Sequence, residues 1–171
     1  MLTLLIRTIY FFLPVYFANM APVLFAKVNI LAIPINKKYF GTHKTWRGII
    51  VATIIGQLVY LIQYQIYSPK MAYWSLIDYH HFPLYYGALL GFGAIMGDLI
   101  KSYYKRKEGI KEGKSWLPWD QLDFVIGAIV FSFLIYVPTI SIVIILLLIS
   151  PVLHVSANYL GYLMKIKKNK F

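Results

Sequence analysis

Cysteine is absent from this chain, which excludes disulfides, thiolate metal ligation and a cysteine nucleophile. Any bound metal must therefore be held by oxygen or imidazole. Acidic residues are scarce, with 6 Asp and Glu against 17 Lys and Arg. Charged residues of all kinds make up 13%, about half the roughly 25% of an ordinary soluble domain, which argues against a soluble fold. A Walker A loop is missing as well. The run Gly41, Thr42, His43, Lys44, Thr45, Trp46, Arg47, Gly48 contains a Lys followed by Thr, but not the second glycine just before the lysine. No internal repeat is evident, and no small-residue cleavage site follows the apolar run from Leu2 to Phe25, which is expected to be a retained first helix.

Apolar residues are abundant, at 60% of the chain, and the mean hydropathy is +0.65. Stretches long enough to cross a bilayer fall at about 2–26, 48–67 and 83–104, and a final apolar region runs from about 122 to 164. That region is too long for one crossing. Pro138 removes a backbone donor and disfavours helix at Val137, so a tight turn there divides it into helices at about 122–137 and 139–164. The expected fold is all-α, a single membrane domain of five transmembrane helices over residues 1–171.

The net charge of +11 does not indicate nucleic-acid binding, because the basic residues lie in short loops between apolar runs. Anionic head groups and phosphorylated substrates are the expected partners. The loop at about 27–47 carries Lys27, Lys37, Lys38, Lys44 and Arg47, and the loop at about 105–121 carries Lys105, Arg106, Lys107, Lys111 and Lys114. The positive-inside rule places both in the cytoplasm. Five spans put the tail lysines Lys165, Lys167, Lys168 and Lys170 on the same side and the N-terminus outside.

An acidic group within a crossing costs about 2.5–3.5 kcal/mol on insertion scales, so Asp98 and Asp123 are functional candidates. Asp98 is followed by Lys101, Ser102 and Lys105 on one helical face. A surface ion pair there would contribute only about 0.2–0.5 kcal/mol, too little to offset the insertion cost. Asp120 and Asp123 lie at the start of the fourth helix, where acids also serve ordinary helix-start chemistry. A short connection makes helices three and four antiparallel neighbours and brings the three carboxylates together. Three carboxylates beside many cations point to a magnesium and phosphate site. Lys44, Thr45 and Arg47 can offer donors to phosphate. His154 with Asn158, and Gln57 and Gln63, are expected to be interhelical hydrogen-bonding groups. His80 and His81 are expected to be solvated in an outer loop.

Gly97, Asp98, Ser102, Tyr103, Tyr104, Lys105 and Arg106, followed by Lys111, Pro118, Asp120, Gln121, Leu122 and Asp123, resemble the signature of CDP-diacylglycerol synthases, the phosphatidate cytidylyltransferases. Glu112 stands where that family often has aspartate, a His-Gly-Gly run is missing, and Gln121 replaces an arginine. The short length, the Asn19 to Pro22 segment and the Gly41 to Gly48 motif are closer to the archaeal branch, CDP-archaeol synthase, over most of the chain. The resemblance implies CMP transfer from CTP to the phosphate of a polyisoprenoid glycerol ether lipid, with Mg2+ as cofactor. It implies catalytic roles for Asp98, Asp123 and Lys105 and metal ligation by Asp98, Asp120 and Asp123. Substrate contacts are then expected from Asn19, Lys44, Thr45, Arg47, Lys101, Ser102, Lys105, Arg106 and Lys111. A CDP-alcohol phosphatidyltransferase, a bacterial-type phosphatidate cytidylyltransferase and a transporter of an anionic solute stay open on the sequence.

Overall fold

A computed structural model of the protein describes residues 1–163. The tail lysines Lys165, Lys167, Lys168 and Lys170 lie outside the described residues, as does the side chain of Asn158. The elements are helices α1 (Leu2–Leu24), α2 (Lys37–Phe40), α3 (Trp46–Ile66), α4 (Pro69–Ala72), α5 (Tyr86–Lys107), α6 (Trp119–Ser132) and α7 (Ile140–Leu163), with a 3-10 turn at Tyr79–His81. Among the described residues there is no strand, only an isolated bridge between Pro34 and Thr45.

Three helices are long and apolar enough to cross a membrane, over Leu2–Leu24, Trp46–Ile66 and Ile140–Ala157. α5 has the length, with 22 residues, but ends in Lys105, Arg106 and Lys107. α6 differs from expectation. It begins at Trp119 and ends at Ser132, so its 14 residues rise only about 21 Å at 1.5 Å per residue, short of the roughly 30 Å hydrocarbon core. The expected tight turn at Pro138 is instead a connection of several residues, 133–139. Past Ser132 the chain turns through i→i−3 bonds, Leu134 N–H to the Phe131 carbonyl at 3.2 Å and Ile135 N–H to the Ser132 carbonyl at 2.9 Å, so the regular helix closes before the proline is reached.

Glycines bring α5 close to both neighbours. A Cβ on Gly91 would stand 2.6 Å from the Ala52 carbonyl oxygen of α3, and one on Gly127 of α6 would stand 2.8 Å from the Gly97 Cα. Side chains at these positions would force the backbones apart. The consequence for the site is direct, because Gly97 precedes Asp98 and its near approach to α6 is to the backbone of Asp123.

At the opposite end, Phe11, Tyr60, Tyr79 and Tyr86 form a buried aromatic core with Leu90. The Tyr60 ring packs tilted against Tyr79 and edge-to-face against Tyr86, with centroids 5.5 and 5.8 Å apart, within the range of favourable ring pairs. Gln57 bridges the backbone, donating to the Leu84 carbonyl at 2.7 Å and accepting from Ala88 N–H at 2.8 Å. Gln63 donates to the Tyr10 carbonyl at 2.6 Å. Both amides act between elements, as their chemistry implied. His81 pairs with Asp78 at 2.8 Å in an exposed setting, while His80 packs on Tyr64 and Tyr67.

Candidate active site

The first loop folds back on itself before α3 begins. Ile35 N–H donates to the Lys44 carbonyl at 2.9 Å, Trp46 N–H to Ile33 at 3.1 Å and Arg47 N–H to Leu31 at 2.9 Å. The Thr45 hydroxyl then caps α3 by accepting from Gly48 N–H at 3.2 Å. These bonds fix the backbone at Lys44, whose ammonium reaches α5 and pairs with Asp98.

α5 presents Asp98, Lys101, Ser102 and Lys105 on one face, and α6 presents Asp120 and Asp123 in its first turns. The three carboxylates meet at Lys101. Its Nζ lies 3.1 Å from Asp98, 3.0 Å from Asp120 and 2.7 Å from Asp123. Lys105 Nζ binds both Asp120 oxygens at 3.0 Å and donates to the Lys114 carbonyl. Asp120 also accepts from Trp116 N–H, which ties the second loop to the head of α6, and the Leu117–Pro118 bond within that loop is cis. The Ser102 hydroxyl donates to the Asp98 carbonyl at 2.8 Å.

The side chain of Asp123 is 5% exposed and that of Lys105 9%. Charges this deep are tolerated only when paired, and a paired buried network is weak evidence of stabilisation because desolvation offsets most of the Coulomb gain. What the network does is hold three acids and three ammonium groups in register.

A polar cavity of ≈ 380 Å³ opens beside this network. Lys44, Lys101, Lys105 and Arg106 supply its cationic wall, and Asp120, Gln121 and His154 part of the rest. Glu112 closes it from the second loop, accepting from the Thr42 N–H and, at 2.9 Å, from the Thr42 hydroxyl of the first. Gly41 makes this contact possible. Its φ of +90° lies in the region that favours glycine, and a Cβ there would collide with the Glu112 carboxylate. Burial acts to raise the Glu112 pKa, but the Thr42 hydrogen bonds and the nearby His43 and Arg106 outweigh it and hold the carboxyl below its ordinary value.

The sequence-derived residues thus divide. Lys44, Asp98, Lys101, Ser102, Lys105, Arg106, Asp120 and Asp123 gather at the cavity and its carboxylate cluster. Thr45 is a helix cap, the Arg47 guanidinium donates to the Val28 carbonyl, Lys111 is exposed, and Asn19 is half-buried on α1. None of these four is among the cavity-lining residues. His43, Glu112, Ser115, Gln121 and His154 line the cavity without having been singled out for it. Glu112 and Gln121 stood in the family pattern and His43 in the Gly41 to Gly48 run, while Ser115 carried no signal. His154, read as interhelical, also packs its ring 5.9 Å from Phe124.

Among the described residues no group of three or more His, Cys, Asp or Glu side chains is arranged as a metal cage. The donor chemistry nevertheless fits magnesium. Three carboxylates converge on one cationic point, hard oxygen ligands of the kind Mg2+ takes, and that point is held by the Lys101 ammonium.

The family model described as "CarS-like: CDP-archaeol synthase" matches residues 1–171. The chain belongs to this family. It is 36% identical over 171 residues to the CDP-archaeol synthase of Thermococcus onnurineus (strain NA1), covering 95% of each chain. The CDP-archaeol synthase of Archaeoglobus fulgidus is 34% identical over 183 residues, covering 98% of each. A solved structure reported as an intramembrane enzyme for archaeal membrane lipids biosynthesis superposes with a TM-score of 0.70 and 25% identity, covering 88% of this chain and 91% of that one. Family membership over the full length makes the chain a membrane protein and includes both loops that build the cavity, not the α5–α6 signature alone.

Proposed function

We propose that the protein transfers CMP from CTP to 2,3-bis-O-geranylgeranyl-sn-glycerol 1-phosphate, releasing pyrophosphate and forming CDP-archaeol. The observation that carries the mechanism is the convergence of Asp98, Asp120 and Asp123 on Lys101 beside a cavity walled by Lys44, Lys105 and Arg106. The transporter, the bacterial-type phosphatidate cytidylyltransferase and the CDP-alcohol phosphatidyltransferase readings give way to this one, since the family match runs from end to end.

The lipid phosphate oxygen attacks the α-phosphorus of CTP, one P–O bond forms, and the bond to pyrophosphate breaks. The nucleophile is already ionised at neutral pH, so no side chain need abstract a proton. Catalysis rests on positioning and charge neutralisation. Lys44, Lys105 and Arg106 bind triphosphate oxygens, and Lys101, between cavity and carboxylates, holds the attacking phosphate against the α-phosphorus. Magnesium held by Asp98, Asp120 and Asp123 would supply further neutralisation of the triphosphate and of the departing pyrophosphate. The Glu112 to Thr42 contact keeps the two loops together over the nucleotide.

We further propose a single domain of five crossings, with α1, α3, α5, α6 and α7 as the spans, the N-terminus outside and the site facing the cytoplasm. The support is the lysine-rich character of both site loops and the apolar residues Phe133, Leu134 and Val137, 50%, 74% and 65% exposed, which lengthen the apolar path beyond α6.

Purified protein incubated with CTP, magnesium and the diether lipid phosphate is expected to release pyrophosphate and form a CDP-lipid. Pyrophosphate release equal to a lipid-free control would refute the reading.

A further inference from the structure

The first acidic residue of the chain is Asp78, so everything before it is neutral or basic. Within that stretch the link from α1 to α3 has a surface that the candidate site does not use. Every residue of 23–33 is exposed, yet Lys27 alone among them is charged. Ile30 is 72% and Ile33 63% exposed, and Val28 and Leu31 are exposed beside them. The run extends past the end of α1 at Leu24, so the lipid contact of that helix does not account for it. Lys37 and Lys38, also exposed, follow a few residues later.

The run is not a loose tether. Arg47 N–H donates to the Leu31 carbonyl at 2.9 Å and Trp46 N–H to the Ile33 carbonyl at 3.1 Å, which lays it against the first turn of α3. The Arg47 guanidinium, which is not among the cavity-lining groups, donates to the Val28 carbonyl. Leu31 has a φ of +51°, a left-handed conformation that is unfavourable for a residue with a side chain and persists where neighbouring bonds impose it. Here the imposing bond comes from Arg47. An apolar run that is exposed, strained and held in one shape is a candidate contact surface.

Three observations favour a lipid surface over a protein. Trp46, 50% exposed at the start of α3, is bonded to Ile33 and belongs at the level of lipid head groups, which places the run at that depth. Lys27, Lys37 and Lys38 accompany the run with no acid in that part of the chain to neutralise them, the pattern that attracts anionic head groups. The run also continues directly from α1, a helix long and apolar enough to cross a membrane, with no polar linker between them.

We propose that residues 23–33 form an interfacial foot, with Val28, Ile30, Leu31 and Ile33 inserted among the lipids of the leaflet on the side of the candidate site and Lys27, Lys37 and Lys38 against anionic head groups. The partner is the membrane surface itself, an interaction beyond the cytidylyl-transfer reading. Ile35 N–H donates to the Lys44 carbonyl at 2.9 Å, so the foot also ties the segment carrying Lys44 to the level of that leaflet.

The absence of cysteine allows a single one to be placed and labelled. Ile30→Cys and Ile33→Cys, each carrying a nitrobenzoxadiazole fluorophore, are compared with Glu108→Cys at the exposed end of α5, in phosphatidylcholine nanodiscs with and without phosphatidylglycerol. The labels at positions 30 and 33 are expected to shift to the blue, to lose quenching by aqueous iodide and to gain quenching by lipids bearing a nitroxide about 5–10 Å below the head groups. The label at position 108 should stay open to iodide. Iodide quenching at positions 30 and 33 equal to that at 108 would overturn the foot. Shielding from iodide without quenching by the lipid nitroxides would overturn it as well, in favour of a protein surface such as a second copy of this chain. Phosphatidylglycerol should strengthen the lipid quenching, and Lys27→Gln, Lys37→Gln and Lys38→Gln together should abolish that gain. A gain that persists in the triple variant would overturn the head-group contact. A further measurement uses the unaltered chain. Phosphatidylglycerol carrying a photoreactive diazirine near the glycerol end of its acyl chain should label residues 28–33 along with the spanning helices, and labelling of the helices alone would overturn the proposal. None of these signals depends on turnover, so failure of the wild type to release pyrophosphate would overturn the cytidylyl-transfer reading and leave the foot to its own test.

Discussion

Around Tyr10, Tyr60, Tyr79 and Tyr86 the bundle is closed by ring packing, and the hydroxyls of Tyr10, Tyr60 and Tyr79 are buried without a protein hydrogen-bond partner. Around Lys101 the other end of α5 is joined by charge to α6 and the first loop, with each acid facing more than one donor. The aromatic end gains from area removed from water, a non-directional term that tolerates an imperfect polar fit. The charged end gains little net stability from its pairs, yet places every charge in one arrangement. One end holds the helices together, and the other uses that rigidity to position chemistry.

The comparison breaks most sharply at Asp123. Asp123→Asn should lower kcat/KM for cytidylyl transfer about 100-fold or more, while the detergent-solubilised protein stays monodisperse and cooperatively folded. Near-wild-type turnover by this variant would remove Asp123 from the site.

Lys101→Met sharpens the contrast differently. Without the ammonium, three carboxylates face one another, so the thermal midpoint should fall by several degrees in EDTA. Magnesium should restore it through binding to the folded state. A midpoint indifferent to magnesium in this variant would count against metal binding by Asp98, Asp120 and Asp123.

Glu112→Gln loosens the charged end without touching the carboxylate cluster. It should raise the KM for CTP by roughly three-fold, the scale of an exposed charge-assisted contact. Because the folded pKa of Glu112 lies below its ordinary value, the contact is complete above the ordinary carboxylate range and is lost as pH falls through the lowered value. The KM difference between variant and wild type, measured at matched pH, should therefore persist down to about pH 5. A difference that disappears between pH 7 and 6 would contradict this.

The smallest effect belongs to the aromatic end. Tyr60→Phe removes a buried hydroxyl that has no protein partner, so stability should change by less than about 1 kcal/mol and turnover should match the wild type. A large loss in the thermal midpoint would reveal a hydrogen bond to that hydroxyl.

Much of the helical framework was legible because lipid-facing helices need long apolar runs, and Leu2–Leu24 and Trp46–Ile66 begin and end within about two residues of where hydropathy put them. The end of α6 was not legible, because tight turns just past Ser132 close it before Pro138 is reached. Within the candidate site, Asp98, Asp120 and Asp123 stood out through the cost or placement of their charge. Arg47 carried the same basic signal as Lys44, yet its guanidinium turns to the Val28 carbonyl while Lys44 reaches Asp98. Charge alone does not say which way a loop will aim its side chain.

What the sequence by itself determined was the all-helical, membrane-bound class, the scarcity of acids that made three of them conspicuous, and the signature from Gly97 to Asp123 that named the chemistry. The first two follow from composition and the placement of charge, and the third from the resemblance of that signature to a known family. Only the tertiary structure decided that Lys101 is the meeting point of the acids, that Glu112 joins two loops 70 residues apart, and that the exposed apolar run of the first loop is tied to the start of α3. The first depends on how closely α5 packs against α6, a distance set by glycines facing one another across the helix contact, the second depends on Gly41, and the third on hydrogen bonds to the Leu31 and Ile33 carbonyls.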